Sequence, residues 1–251
     1  MIIYFSGTGN SKHVAQKIAE ATKDKYESIE NLGTHINLAD NENLGIITPT
    51  HWWQLPILME KYLNEAIISV SKKNYIFLVS TYGSIDGCIS QQTRKILGDK
   101  NIKLNASFGV KMPDTWTPMF DLSKESEVKD ILRKSEPEIG NIISKIKNKE
   151  EAFYTKIRLP YFVKTLTRII LENERKTKNF KLKNVCTGCG KCKKSCPAQA
   201  IDIKEGKAIW TKEKCLICLR CLHNCPQFAI QYGNKTEKHG QYTFEKYQNF
   251  D

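Results

Sequence analysis

Short apolar runs that end in polar loops recur along the first half of the chain. They occupy residues 1–5, 44–48, 75–79 and 106–110. A continuous apolar run of this length is typical of a strand that is buried on both faces of a sheet. Apolar residues at helical spacing follow, such as Val14 and Ile18 after the first run and Met59 and Leu63 after the second. This alternation of strand and helix predicts an α/β protein with a parallel sheet.

The loops after these strands contain small, hydroxylated and aromatic residues. Because open parallel sheets bind ligands beyond the carboxyl ends of their strands, the four loops are predicted to form one site. The first loop leads directly into a helix, which is typical of a phosphate site. It ends Asn10-Ser11-Lys12, without the Gly-Lys-Ser/Thr of a nucleoside triphosphate loop and with Lys12 where a dinucleotide fingerprint needs glycine. Neither an NTPase nor an NAD site is therefore favoured.

Eight of the nine cysteines form two copies of the spacing C-x2-C-x2-C-x3-C-P, which end at Pro197 and Pro226. This run is the bacterial two-cluster ferredoxin signature, in which the fourth cysteine of each run reaches across to the other cluster. One 4Fe-4S cluster is therefore assigned to Cys186, Cys189, Cys192 and Cys225. The second is assigned to Cys215, Cys218, Cys221 and Cys196.

Zinc binding and a disulfide framework are the alternatives for these cysteines. Structural zinc sites usually combine two separated C-x2-C pairs and need neither a third cysteine nor a C-P ending. Disulfides are disfavoured because no signal peptide precedes the chain. Between the two runs, alternating residues around Glu205 and Gly206 predict a short hairpin.

Together, the loops and the cysteine runs resemble the flavodoxin-ferredoxin fusion proteins of the EFR1-type family. The resemblance rests on the motifs at residues 5–11, 49–53 and 81–83 and on the eight cysteines. It implies a flavodoxin-like doubly wound parallel sheet of order 2-1-3-4-5, a small α+β ferredoxin domain, one FMN and two 4Fe-4S clusters. The predicted parts are a flavodoxin-like FMN-binding domain at 1–149, a helical linker at 150–182, the ferredoxin domain at 183–233 and a polar, loosely ordered tail at 234–251.

An FMN ring has apolar faces and polar edges, so its site needs aromatic walls and backbone donors. The predicted FMN residues are Ser6, Thr8, Gly9, Asn10, Ser11, Pro49, Thr50, His51, Trp52, Trp53, Thr81, Tyr82, Gly83, Gly87 and Cys88. Packing in the core is the alternative for either tryptophan. For Cys88, burial under its loop is favoured over a reactive thiol at a helix N-terminus.

Residues 123–182 carry helical periodicity. Pro137, between Ser135 and Glu138, predicts a kink or a new helix start. An apolar stripe at 159–170 is flanked by Lys156, Arg158, Lys164 and Arg168. A basic amphipathic helix of this kind either docks one domain on another or lies on a membrane surface, and we expect docking.

The formal net charge of +12 raises the question of nucleic acid. No nucleic-acid motif accompanies it, and the lysines are spread along the chain, so no nucleic-acid binding is expected. A basic surface instead suits a redox partner such as an acidic ferredoxin or flavodoxin, or a partner oxidoreductase. No stretch reaches the length of a membrane span, so the sequence predicts a soluble, cytoplasmic protein. The family resemblance implies a role in anaerobic metabolism.

These features predict intramolecular electron transfer between FMN and two 4Fe-4S clusters, in a carrier that links one-electron and two-electron partners. The first alternative is a flavin-dependent reductase fed by the clusters, in which Asp114 and Trp116 line a substrate pocket and Asp114 donates a proton. For Asp114, capping of a turn is favoured. The second alternative is a redox sensor.

Overall fold

The computed structural model describes residues 1–154 and 159–249. Its main sheet has five parallel strands, β1 (Ile2–Tyr4), β2 (Tyr26–Ser28), β3 (Asn43–Pro49), β4 (Tyr75–Tyr82) and β5 (Ala106–Lys111). They are arranged in the order β2-β1-β3-β4-β5, so the predicted flavodoxin-like order 2-1-3-4-5 is confirmed. A separate parallel pair joins His35–Asn37 to Ile67–Ser69.

Helices cover both faces of the sheet. They are α1 (Asn10–Thr22), α2 (Ile57–Glu65), α3 (Ile89–Gly98) and α4 (Glu125–Lys147). One apolar core packs Ile18 of α1 and Leu132 of α4 against the sheet, and the other packs Met59 of α2 and Leu97 of α3. Every residue of β4 is buried. This two-sided burial explains why the strands are continuous apolar runs in the sequence.

The prediction of a separate helix starting near Ser135 is wrong, because α4 continues through Pro137. Ser135 is buried, and its hydroxyl donates to the Leu132 carbonyl at 2.7 Å. Leu132 and Ile139, on either side of the proline, are buried in the same core. Burial of this helix face offsets the backbone hydrogen bond that proline removes.

The C-terminal part begins with α5 (Val163–Glu174) and is a small α+β unit. Its further elements are a 3-10 turn (Thr177–Asn179), β6 (Phe180–Leu182), α6 (Lys191–Ser195), β7 (Ile201–Lys204), β8 (Lys207–Trp210), α7 (Arg220–His223), β9 (Ile230–Tyr232), α8 (Thr236–His239) and a second 3-10 turn (Phe244–Tyr247). β7 and β8 form the predicted hairpin, and β6 pairs antiparallel with β9. Within the described ranges, no helix combines the length and apolar character needed to cross a bilayer.

α5 docks on the flavodoxin-like part mainly through polar contacts. The Glu60 carboxylate of α2 accepts hydrogen bonds from Lys164 at 3.0 Å and from Arg168 at 2.6 Å. The expected docking is therefore present, but most of the apolar stripe does not contribute to it, since Leu166 and Ile169 are 57% and 69% exposed. The predicted flanking residues Lys156 and Arg158 lie outside the described residues.

The prediction of a loosely ordered tail is wrong for residues 234–249. Tyr242 and Tyr247 in this segment are almost fully buried, and their rings stack with centroids 5.4 Å apart. Both belong to the core that α1 and α4 share. The overall composition of the tail is polar, but these two tyrosines pack it against the first domain. Residues 250 and 251 lie outside the described residues.

Replacing Glu60 by Gln tests the docking of α5. The variant removes the carboxylate that pairs with Lys164 and Arg168, of which Arg168 keeps a 3.3 Å ion pair with Glu172. We expect a loss of about 1–2 kcal/mol of stability, since hydrogen bonds to charged groups are worth about that much. Faster proteolysis within 159–174 and a lower thermal midpoint would report it. Glu65→Gln is the control, because Glu65 forms only a 3.8 Å ion pair with Lys61 on the exposed side of α2. Equal effects of the two substitutions would contradict the prediction.

Candidate functional site

The loops after β1, β3, β4 and β5 meet at the carboxyl edge of the sheet and line a cavity of about 260 Å³. Most of the predicted FMN residues lie on its wall, namely Ser6, Thr8, Asn10, Ser11, Pro49, Thr50, His51, Trp52, Trp53, Thr81, Tyr82 and Gly83. Ile217, Cys218 and Leu219 of the second cysteine run form a further side, which no pattern in the sequence indicated. We call this space the sheet-edge cavity.

Three predicted residues, Gly9, Gly87 and Cys88, do not line the sheet-edge cavity. A Cβ on Gly87 would collide with Trp53, so this glycine allows the loop after β4 to pack against Trp53. Cys88 is 1% exposed, its N–H donates to the Trp53 carbonyl at 2.7 Å, and burial raises the pKa of its thiol. Cys88 is thus a packed residue, as favoured, and the alternative of an activated thiol is wrong.

The first loop has the geometry of an anion site. Gly9 precedes α1 in the left-handed conformation, with φ of 106°, and its N–H donates to the Ser6 hydroxyl at 3.1 Å. The first turn of α1 carries no acidic side chain, so the positive end of the helix dipole is not neutralised there. Ser11 shares a 2.8 Å hydrogen bond with Thr81, which fixes this loop to β4. Such a loop is suited to a phosphate group.

Asn10 connects this loop to two distant parts of the chain. Its side-chain N–H donates to the Pro113 carbonyl at 3.2 Å, and its oxygen accepts from the Tyr242 hydroxyl at 2.6 Å. Nearby, the Phe244 N–H donates to the Thr8 carbonyl at 2.8 Å. The C-terminal segment therefore supports the first loop from behind. Sequence reasoning missed this contact because its partners lie more than 230 positions apart.

Trp52 and Trp53 form the two central residues of a tight turn. The flanking His51 and Gln54 exchange backbone hydrogen bonds of 2.9 and 3.1 Å, and the two tryptophans have φ angles of 49° and 62°. Two-residue turns with both φ angles positive strongly favour Asn-Gly, and bulky residues are strained there. Trp53 is 37% exposed and both side chains line the cavity, so neither is purely a core residue. The strain is stored where the indole rings reach the cavity.

Burial disfavours the charged forms of two ionisable side chains on the cavity wall. Burial lowers the pKa of His51 to about 4, and its Nδ1 is out of contact with water and has no hydrogen-bond partner among the described residues. Burial raises the pKa of Asp114, although its carboxylate accepts a 3.0 Å hydrogen bond from the Trp116 N–H. That bond is the turn cap expected for Asp114. Both Asp114 and Trp116 line the cavity.

The eight cysteines of the two runs surround two small cavities of about 20 Å³ each. The first, which we call the distal cysteine cavity, is lined by Cys186, Cys189, Cys192 and Cys225. The second, the near cysteine cavity, is lined by Cys196, Cys215, Cys218 and Cys221. These are the two sets that the spacing predicted. In the described part of the chain, no three His, Cys, Asp or Glu side chains are close enough to hold one metal ion.

Three thiols of the near cysteine cavity, those of Cys215, Cys218 and Cys221, are electrostatically disfavoured as free thiolates. Burial raises the pKa of Cys215 to about 12 and also raises the pKa values of Cys218 and Cys221, and repulsion by neighbouring thiolates adds to each shift. A cationic iron core would remove this penalty. Soft thiolate ligands around a cavity suit an iron-sulfur cluster, so the residues present fit that group.

The two cysteine loops differ at two equivalent positions. In the distal loop, Gly188 and Gly190 have φ angles of 64° and 74°. In the near loop, Ile217 and Leu219 adopt the same left-handed conformation, with φ angles of 51°. This conformation costs about 1–2 kcal/mol for a residue with a side chain. The two side chains are almost fully buried and line both the sheet-edge and the near cysteine cavities.

Residues 217–219 are therefore a wall shared by the two cavities. The wall also touches the first loop, because a Cβ built on Gly7 would lie 2.7 Å from the Cys218 carbonyl oxygen. Arg220, next along the chain, donates to the Ser6 carbonyl at 2.6 Å and forms a two-armed ion pair with Glu30. The near cysteine loop and the first loop are thus held in direct contact.

Family comparisons agree with this division of the chain. A family model for the flavodoxin domain matches residues 1–138, and one for the 4Fe-4S dicluster domain matches residues 185–230. Over 46 residues, the chain is 50% identical to one component of an ion-translocating oxidoreductase complex of Methanosarcina acetivorans. That match spans 18% of this chain and 17% of the other protein.

Solved structures similar to this chain include a flavodoxin of Streptococcus pneumoniae, with 13% identity and a TM-score of 0.40 over 59% of this chain and 97% of that one. An FMN-dependent NADH-azoreductase of Bacillus anthracis, in complex with FMN, has 12% identity and a TM-score of 0.38 over 58% of this chain and 97% of that one. Rubredoxin oxygen:oxidoreductase of Desulfovibrio gigas has 13% identity and a TM-score of 0.33, over 59% of this chain and 36% of that one.

Replacing Tyr242 by Phe tests the support of the first loop by the C-terminal segment. The variant leaves the buried Asn10 oxygen without its donor, and an unsatisfied buried group costs about 1–3 kcal/mol. We expect a thermal midpoint lower by several degrees. Tyr247→Phe is the matched control, since the hydroxyl of that stacked tyrosine contacts only the exposed side chains of Lys246, at 3.5 Å, and Glu125. An unchanged midpoint for Tyr242→Phe would contradict the role assigned to its hydroxyl.

His51 predicts a pH dependence of stability. The unfolded chain binds a proton on this ring near its ordinary pKa of 6.5, whereas the folded protein does so only near 4. Stability from the neutral ring is therefore complete above pH 6.5 and is lost as the pH falls towards 4. Between about pH 7 and about pH 5.5 we expect a loss of roughly 1 kcal/mol, or about 2–4 °C in thermal midpoint, that is absent from His51→Gln. Parallel pH profiles for the two proteins would contradict this.

Proposed function

Because the chain belongs to the flavodoxin domain family and also carries a 4Fe-4S dicluster domain, we propose that it transfers electrons between one FMN and two 4Fe-4S clusters. The two matched domains support electron transfer in general. The observation that supports the finer proposal is the shared wall at Ile217, Cys218 and Leu219, which borders both the sheet-edge cavity and the near cysteine cavity. We further propose that the chain is a member of the EFR1-type fusion family.

The sheet-edge cavity is the proposed FMN site. The first loop and the N-terminus of α1 would hold the phosphate, and Thr8 would contribute a hydroxyl there. Trp52, Trp53 and Tyr82 would provide aromatic walls for the ring. Gly9, Gly87 and Cys88 support this site from behind and are not proposed to touch the cofactor. When bound, FMN exchanges one or two electrons, whereas each cluster exchanges one.

The two cysteine cavities are the proposed cluster sites, with the ligand sets that the spacing assigned. Cys218 has the central position, because it is a proposed ligand on one side and a wall of the FMN site on the other. Ile217 and Leu219 exclude water from the space between the sites. Arg220 fixes the distance between the two sites through its hydrogen bond to the Ser6 carbonyl and its ion pair with Glu30. Electron transfer slows steeply with distance, so these contacts serve the proposed function directly.

A carrier is favoured over a flavin-dependent reductase. The Trp116 ring packs between the rings of Trp52 and Tyr232, with centroid distances of 6.1 and 5.3 Å. Trp116 therefore bridges the sheet-edge cavity and the C-terminal part. Together with residues 217–219, it forms part of the wall of the sheet-edge cavity. The Asp114 carboxylate is engaged in its turn. Covered walls of this kind suit transfer of electrons between bound groups.

Anaerobic purification followed by quantitation of FMN, iron, sulfide and zinc tests the cofactor content. We expect one FMN per chain and, for two cubane clusters, about eight iron and about eight sulfide. Zinc in place of iron, or a chain that does not bind FMN when it is added, would overturn the proposal.

Two cysteine variants test the path. Cys218→Ser and Cys189→Ser each alter one proposed ligand, but only Cys218 borders the sheet-edge cavity. After photoreduction of the flavin, the absorbance of the flavin and of the iron-sulfur clusters reports electron transfer between them. We expect Cys218→Ser to slow this transfer by about tenfold or more, whereas Cys189→Ser leaves the first kinetic phase unchanged. Both variants must retain FMN for the comparison. Equal slowing by the two substitutions would contradict the assignment of Cys218 as the connection.

A further inference from the structure

Lysines occur along the whole chain, but the net positive charge is concentrated in its cysteine-rich part, because few acidic residues accompany the lysines there. Residues 180–233 contain ten Lys and Arg against three Asp and Glu, a net charge of +7. The whole chain of 251 residues has +12. More than half of the excess charge therefore lies in about a fifth of the sequence, and its position relative to the two cysteine cavities determines what it can attract.

The two cysteine cavities differ in access. At the distal cavity Cys189 is exposed, and Val185, just before the first ligand, is 50% exposed. At the near cavity Cys215 and Cys221 are buried, and residues 217–219 face the sheet-edge cavity. The distal cavity is therefore the one that a second protein can approach closely.

Lysines stand on the rim of the distal cavity. Lys191 lines this cavity and is exposed. The tip of the β7–β8 hairpin packs onto the same rim, because a Cβ on Gly188 would collide with Gly206. Lys207, at the start of β8, donates to the Cys186 carbonyl at 2.7 Å. The hairpin thus brings its own lysines next to the loop that contains Cys189.

Some of these lysines are neutralised and others are not. Lys193 pairs with Asp202 at 2.6 Å, and Lys183 pairs with Glu237 at 2.6 Å. Lys191, Lys194 and Lys204 are exposed and have no ion pair within residues 1–154 and 159–249. We call these three the lysine rim. Uncompensated, exposed lysines produce a local positive potential that steers an acidic partner and weakens with added salt.

We propose that the lysine rim, with exposed Val185 and Cys189 beside it, is the docking face for an acidic one-electron carrier protein. This inference rests on the proposed function and adds the place and the charge of the partner. In each encounter one electron passes between the carrier and this protein, so that one is oxidised and the other reduced. A small exposed apolar patch beside uncompensated lysines suits such a short-lived complex, because the charges speed encounter while the small contact area permits rapid release.

Binding and cross-linking of an acidic bacterial two-cluster ferredoxin test the proposal without relying on electron transfer. A carbodiimide joins lysine amines directly to carboxylates, so mass spectrometry of the linked peptides locates the face. We expect links at Lys191, Lys194 or Lys204. The paired substitution Lys194→Glu and Lys204→Glu should weaken binding roughly tenfold at about 20 mM salt and by much less at about 0.5 M salt.

The control is Lys25→Glu with Lys72→Glu. Both lysines are exposed and precede β2 and β4, so they lie at the amino edge of the sheet, opposite the sheet-edge cavity. We expect this pair to retain nearly the affinity of the unchanged protein. Because Lys194 stands between two cysteines, iron is quantified in every variant, and Lys204→Glu alone, outside both cysteine runs, repeats the test.

Three results would overturn the proposal. They are equal weakening by the control pair, binding that does not respond to salt, and binding of a DNA duplex with the same dependence on Lys194 and Lys204. Absence of FMN or of iron from the unchanged protein would instead refute the proposed function. The cross-linking result, which records docking alone, keeps the two failures distinct.

Discussion

The direct packing of the near cysteine loop on the first loop of the sheet is the contact that positions every other part of the site. Gly7 has no Cβ, and this allows the Cys218 carbonyl to lie against the chain just after β1. Ile217 and Leu219, on either side of Cys218, then close the sheet-edge cavity. Any larger residue at position 7 would push the two halves apart. The spacing between the proposed redox sites therefore follows from a backbone contact.

This arrangement is strained, and the strain is concentrated in the cavity walls. Trp52 and Trp53 in one wall and Ile217 and Leu219 in another have left-handed backbones. Each costs about 1–2 kcal/mol, whereas burial of a side chain such as Ile or Leu contributes about 1.5–3 kcal/mol. For Ile217 and Leu219, which are 4% and 3% exposed, burial equals or exceeds the strain. The distal loop does not border the sheet-edge cavity, and it has glycine at both equivalent positions.

Three further contacts hold the halves together, and each uses different chemistry. Arg220 donates a hydrogen bond to the Ser6 carbonyl and forms an ion pair with Glu30. Glu60 binds two basic residues of α5. The C-terminal segment returns to the first domain and places the Tyr242 hydroxyl on Asn10. These contacts come from separate stretches of the chain, so the loss of any one leaves the others in place. The distal cavity remains outside this network and open to a partner.

Features that depend on local order could be predicted from the amino-acid sequence. Buried strands, the loop before α1 and the two cysteine sets follow from periodicity and spacing, because short-range sterics and ligand geometry act within a few residues. Which side chains face each other across long separations depended on the tertiary structure. Ser135 did not start a helix because core packing outweighed the effect of Pro137, and the polar tail was ordered by two tyrosines that find their partners in another domain. The shared wall at Ile217 and Leu219 likewise arises only when two domains meet, since a strained backbone is stabilised by burial that no local pattern encodes.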